Sequence, residues 1–142
     1  MQAALRWGPA LAVMLAIFWF SSIPAAQVSQ AAGPVIARAP RTLPAVLPTV
    51  PPLRISWLKV GHAAGYALLG AAYLHAAGPV RRRAGLWAVL AAALYAVSDE
   101  FHQQFVPGRG AGLTDVLLDT ASAAGAVLTF RLIQLAGRGE KG

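Results

Sequence analysis

At 142 residues the chain has the length of one domain, but 57% apolar and 12% charged residues exclude an ordinary soluble one. The net charge of +7 does not indicate nucleic acid, because the arginines lie between apolar blocks and form no face that tracks a phosphate backbone. Without cysteine there is no disulfide, no thiolate metal site and no thiol nucleophile.

Residues 7–23 form the first apolar block, seventeen long and free of charge, with Pro9 expected in the first turn of its helix. A cleaved signal peptide is the competing reading, with Arg6 as its basic region and cleavage after residues 24–26. The bulky Ile17-Phe-Trp-Phe20 cluster and Pro24 beside that site favour a retained helix. Residues 24–58 hold seven of the ten prolines and predict an extended loop rather than a helix.

A second span is predicted over 59–78, where Lys59, His62 and Tyr66 share one helical stripe. Gly61, Gly65 and Gly70 allow neighbouring helices to come close. A basic turn at 79–85 leads into a third span over 84–101. That span carries fifteen uncharged residues, then delivers Asp99, Glu100, His102, Gln103 and Gln104 within six. Such side chains are costly in or beside hydrocarbon and need partners. The fourth span is predicted over 113–136, with Asp115, Asp119 and Ser122 on one stripe. Residues 137–142 form a polar tail. Four of the five acidic residues fall between Asp99 and Asp119, which marks the candidate site.

The fold class is therefore all-α: an integral membrane protein with four transmembrane helices. Placing both termini in the cytoplasm puts seven Lys or Arg residues inside (Arg6, Arg81, Arg82, Arg83, Arg131, Arg138, Lys141) and five outside. Trp7 and Trp87 then sit at the inner interface, and Trp19 and Trp57 at the outer one. This topology gathers Ser21, Ser22, Lys59, His62, Tyr66, the acidic and amide cluster, Arg109, Asp115 and Asp119 near the extracytoplasmic surface of a bacterial plasma membrane.

Four pieces of the chain resemble the VanZ-like family of small bacterial membrane proteins. Ser21-Ser-Ile-Pro24 is similar to the family's end of the first helix. Lys59-Val-Gly-His62, with Tyr66 and Leu69-Gly70, resembles its second-helix pattern. Asp99-Glu-Phe-His-Gln-Gln-Phe-Val-Pro-Gly-Arg109 resembles its most distinctive motif, and Asp115 its acidic residue opening the last helix. Asp119 and Ser122 depart from the pattern, standing where the family usually has asparagine and, nearby, glycine. The resemblance implies a polytopic protein whose founding member lowers susceptibility to teicoplanin. It supplies a family and not a reaction.

Three roles for the polar cluster follow from its residue types. One is an envelope-facing site that binds or remodels a lipid-linked anionic molecule, such as an envelope precursor or a phospholipid headgroup. There His102, oriented by Asp99, would be general base, Glu100 an acid, and Arg109 and Lys59 contacts for phosphate or carboxylate. The second is a brace, with Lys59 and Arg109 neutralising Glu100 and Asp115 while His62 and Gln103 complete the hydrogen bonds. The third is a proton relay through Asp115, Asp119 and Glu100 in a small transporter. No spacing has metal-site specificity, and no cofactor is implied.

Overall fold

The computed structural model describes residues 2–28, 30, 57–78 and 82–139. Among them are four long α-helices and no strand: α1 (Gln2–Ser21), α2 (Trp57–Ala77), α3 (Ala84–Gln103) and α4 (Leu113–Gly139). Residues 25–28 form a further helical turn where an extended loop was expected, with the Gln27 and Val28 N–H groups donating to the Pro24 carbonyl. Most of the proline-rich segment, Arg81, the Trp57 side chain and residues 140–142 lie outside the described residues.

One expectation about α1 is corrected. The helix starts at Gln2, ahead of the expected Trp7, so Pro9 lies in its interior and not in its first turn. Residues 2–6 (Gln, Ala, Ala, Leu, Arg) are strong helix formers and extend the helix past the proline. Pro9 removes one amide donor, a loss that helices in apolar surroundings tolerate when neighbouring groups adjust. At the other end Ser22 turns its hydroxyl back to the Phe18 carbonyl at 2.7 Å, and Pro24 prevents continuation.

Helix α2 is the hub. It packs against α1, α3 and α4, whereas α1 and α4 make no packing contact among the described residues. Small side chains fill the interior. Ala84, Ala88, Ala92 and Ala96 are buried at four-residue spacing along α3, facing a core that includes Tyr66, Leu69, Leu74 and Ala123. Large apolar side chains point outward instead, among them Leu11, Leu15, Leu90, Leu94, Leu117, Leu128 and Ile133. A soluble helical protein buries its large apolar residues. Small residues inside and large ones outside suit helices that pack closely in lipid. By length and composition, α3 and residues 113–137 of α4 are long and apolar enough to cross a membrane, and Leu5–Ser21 is a shorter apolar stretch.

Alanine and glycine set the helix spacing. A Cβ added at Gly70 would lie 2.7 Å from the carbonyl oxygen of Ala123 and 2.9 Å from its Cα, which are backbone atoms that cannot swing aside. Gly65 meets Ile17 at 3.3 Å, while Gly61 has ordinary room beside Phe20. The turn after α3 runs through Pro107 and Gly108, whose φ of 75° suits glycine.

Gly70→Ala should force α2 and α4 apart and cost about 1–3 kcal/mol, in the range for overpacking. Gly125→Ala, where a Cβ meets nothing within 4 Å, should leave the thermal midpoint in detergent unchanged or raise it. Equal midpoints for the two variants would refute this account of the α2–α4 crossing.

Candidate functional site

The alanine ridge of α3 determines which polar residues are buried. Continuing from Ala96 by three, four and seven residues reaches Asp99, Glu100 and Gln103, and all three are buried. These residues meet the C-terminal end of α1 and the N-terminal ends of α2 and α4. The structure thus brings Lys59, His62, Tyr66, Asp99, Glu100, Gln103, Arg109, Asp115 and Asp119 to one end of the bundle. Arg6, Arg82, Arg83 and Arg131 stand toward the other end, where Gly78 lies near Arg6 and Gly85 near Arg131.

Asp99 is the junction. Its Oδ2 accepts hydrogen bonds from the Ser21 hydroxyl of α1 and the Gln103 amide of α3, both at 3.0 Å. His62 of α2 places its Nδ1 3.8 Å from the same oxygen and 3.5 Å from Oδ2 of Asp119 on α4. One imidazole therefore stands between two buried carboxylates from different helices. Tyr66, one turn further along α2, stacks against His62 with an interplanar angle of 17°.

The expected pairing of His102 with Asp99 is not made. His102 is turned toward α1, with Nε2 3.1 Å from the Ser22 hydroxyl and its ring against Phe18. Position 102 falls off the buried ridge, whereas His62 reaches Asp99 from a neighbouring helix. In this geometry His62 is the histidine beside the carboxylates.

Arg109 also differs from expectation. Its Nη2 and Nε donate to the carbonyl oxygens of Phe20 and Ile23, at 2.8 and 3.2 Å. Pro24 gives Phe20 no i+4 amide, leaving its carbonyl only a 3.3 Å turn bond from the Ile23 N–H, so the guanidinium acts as a C-terminal cap. Its carbon lies 5.4 Å from the centre of the Phe20 ring, within cation–π range. Burial pulls the guanidinium pKa below its ordinary value, while the charges of Asp99 and Glu100 oppose that shift.

Lys59 forms an ion pair with Asp115 at the rim; their side chains are 55% and 26% exposed. Glu100 accepts a 2.8 Å hydrogen bond from the Gly112 backbone N–H just ahead of α4. Of the residues expected in a relay, Asp115 is thus tied to Lys59 and Glu100 to the loop.

Between these groups lies a cleft of about 130 Å³, lined by Lys59, His62, Glu100, Gln103, Arg109, Asp115 and Asp119 with Leu58, Leu118 and two loop glycines. An apolar groove of about 180 Å³ between α1 and α2, lined by residues such as Ile17, Phe20 and Leu68, shares His62 as a wall. Among the described residues no three His, Cys, Asp or Glu side chains are disposed to hold a metal ion.

Several members of the site were not identified from the sequence. Tyr95 donates a 2.6 Å hydrogen bond to the Met14 carbonyl of α1, and its place four residues before Asp99 was the available signal. The Gly112 amide and the Phe20 and Ile23 carbonyls are backbone groups, which residue types do not reveal.

No curated protein and no solved structure is matched by the chain. The family model described as VanZ/LLP1 matches residues 7–134, from within α1 to within α4, and takes in the whole polar end. The chain belongs to the VanZ/LLP1 family.

Proposed function

We propose that the protein is a four-span envelope membrane protein whose polar end binds or remodels the headgroup of a lipid-linked anionic molecule, lowering susceptibility to teicoplanin-type lipoglycopeptides. The observation that carries this reading is the cleft itself: ionisable side chains from α2, α3, α4 and the α3–α4 loop converge at one end of an otherwise apolar bundle. Intramembrane ionisable groups are expensive and tend to mark functional sites. Lys59 stands at the mouth, where a phosphate would arrive, and the groove that shares His62 supplies room for the hydrocarbon chain of the same ligand. In this site His62, flanked by Asp99 and Asp119, takes the general-base role, with Glu100 as the acid across the cleft.

Both termini lie in the cytoplasm in this proposal, with the polar end facing outward. The arginines at the opposite end support it, as do Trp7 and Trp87 toward that end and Trp19 toward the polar one.

A brace is the second reading, favoured by the Arg109 cap and the Lys59–Asp115 pair, which tie loops and helices together without any ligand. Hydrogen bonds within membranes contribute only about 0.6 kcal/mol on average, so packing alone is a weak reason for so many ionisable groups.

Three measurements test these proposals. In a sensitive Gram-positive host, the native chain should raise the teicoplanin concentration needed to inhibit growth and leave that of vancomycin unchanged. Glu100→Gln and Asp115→Asn should lose the effect at matched membrane abundance; protection kept by both variants would make the cluster dispensable. Since the chain has no cysteine, Gly110→Cys should react with an impermeant maleimide on intact cells, and Gly137→Cys only after permeabilisation. The reverse pattern would invert the topology. Finally, Arg109→Lys, which cannot reproduce the two-carbonyl cap, should cost about 1.5–3 kcal/mol of stability in detergent. An unchanged unfolding midpoint would remove the cap from the account of the brace.

A further inference from the structure

In the wall of the cleft and just behind it are buried polar groups without hydrogen-bond partners among the described residues. Asp119 is 1% exposed, yet neither of its carboxylate oxygens accepts a hydrogen bond from a described residue. Oδ1 of Asp99 is also buried and unbonded, as are Nε2 of His62 and the hydroxyl of Tyr66. Leaving such groups bare is costly, and native structures usually satisfy them through water, an ion or a ligand. Asp119 is a wall residue of the cleft, and its two oxygens are themselves buried within that wall.

Charge narrows the choice of guest. With the carboxyls ionised, Asp99, Glu100, Asp115 and Asp119 outnumber Lys59 and Arg109, and protonation of His62 removes only one unit of the excess. Lys59 is spent on Asp115 at the rim, and the Nε and Nη2 donors of Arg109 are spent on α1. The three unpartnered carboxylate oxygens therefore outnumber the buried donors left beside them, the Tyr66 hydroxyl and one N–H of His62. A phosphate there would meet bare carboxylates.

We infer that the deep end of the cleft, lined by Asp119 and His62 with Asp99 beside His62, receives a protonated primary amine. Resting on the lipid-headgroup reading above, this makes the ligand an amphiphile whose phosphate stays at the rim by Lys59 while its ammonium enters. A primary ammonium brings three donors to unpaired carboxylate oxygens and supplies the missing charge. The cleft volume of about 130 Å³ is several times the roughly 10–15 Å³ that one water needs on the same measure, which leaves room for an ammonium with its first carbons. A quaternary ammonium has no N–H to give and cannot satisfy those oxygens.

The test is native mass spectrometry of the full chain in detergent, titrated separately with phosphatidylethanolamine, phosphatidylcholine and phosphatidylglycerol of matched acyl chains. Phosphatidylethanolamine should bind at least tenfold tighter than either of the others. Asp119→Asn should remove that preference, and Asp99→Asn provides an independent second variant. Size-exclusion profiles and circular dichroism establish that each variant is folded. Tighter binding of phosphatidylglycerol would overturn the amine subsite while sparing the anionic-lipid reading. Equal binding of the three, or an ethanolamine preference kept in both folded variants, would also overturn it. Ethanolamine phosphate, added without acyl chains, distinguishes a headgroup site from a whole-lipid site: competition shows that the headgroup alone is recognised, and its failure together with no lipid bound would refute both proposals.

Discussion

A buried carboxylate must be given hydrogen bonds or charge, and at Asp99 that requirement involves three helices at once. Ser21 reaches it from α1, Gln103 from its own helix α3, and His62 approaches from α2. These contacts are possible because alanine lines the α3 ridge and glycine stands at the α2–α4 crossing, which keeps the backbones close. The same periodicity that packs Ala84 through Ala96 carries Asp99, Glu100 and Gln103 inward at the end of the helix. Packing and polar site are thus two stretches of one stripe.

The two ends of the bundle differ in how their charges are handled. At the basic end Arg6 lies near Gly78 and Arg131 near Gly85, well away from the acidic cluster. At the polar end Lys59 and Arg109, the Lys and Arg side chains of the cleft among the described residues, are engaged, Lys59 with Asp115 and Arg109 with the end of α1. The carboxylates left inside are consequently undersupplied. That imbalance separates this cluster from a closed network, in which each member satisfies another.

Much of this was legible in the residues. Uninterrupted apolar blocks located all four helices, and the change from alanine and leucine to acids and amides located the polar end of α3. What periodicity could not settle was rotation about each helix axis relative to its neighbours. His102 shares a helical face with Asp99, yet it is His62, forty positions from His102, that stands beside the carboxylate. The guanidinium of Arg109 was assigned to a ligand from its chemistry, whereas its partners are main-chain carbonyls that carry no side-chain signature. Pro9 suggested a later helix start because local preference for the first turn was weighed without the formers that precede it.

The Arg109 cap has a consequence for biogenesis. It joins residues separated by 86 and 89 positions, linking the end of the first helix to the connection before the last. Asp119 lies further along still. A ribosome-bound chain that has released only its first three helices holds Asp99 without the α4 wall of its pocket. The cleft therefore exists only after synthesis is essentially finished, and a product truncated before α4 would keep Asp99 and Glu100 without the wall that encloses them.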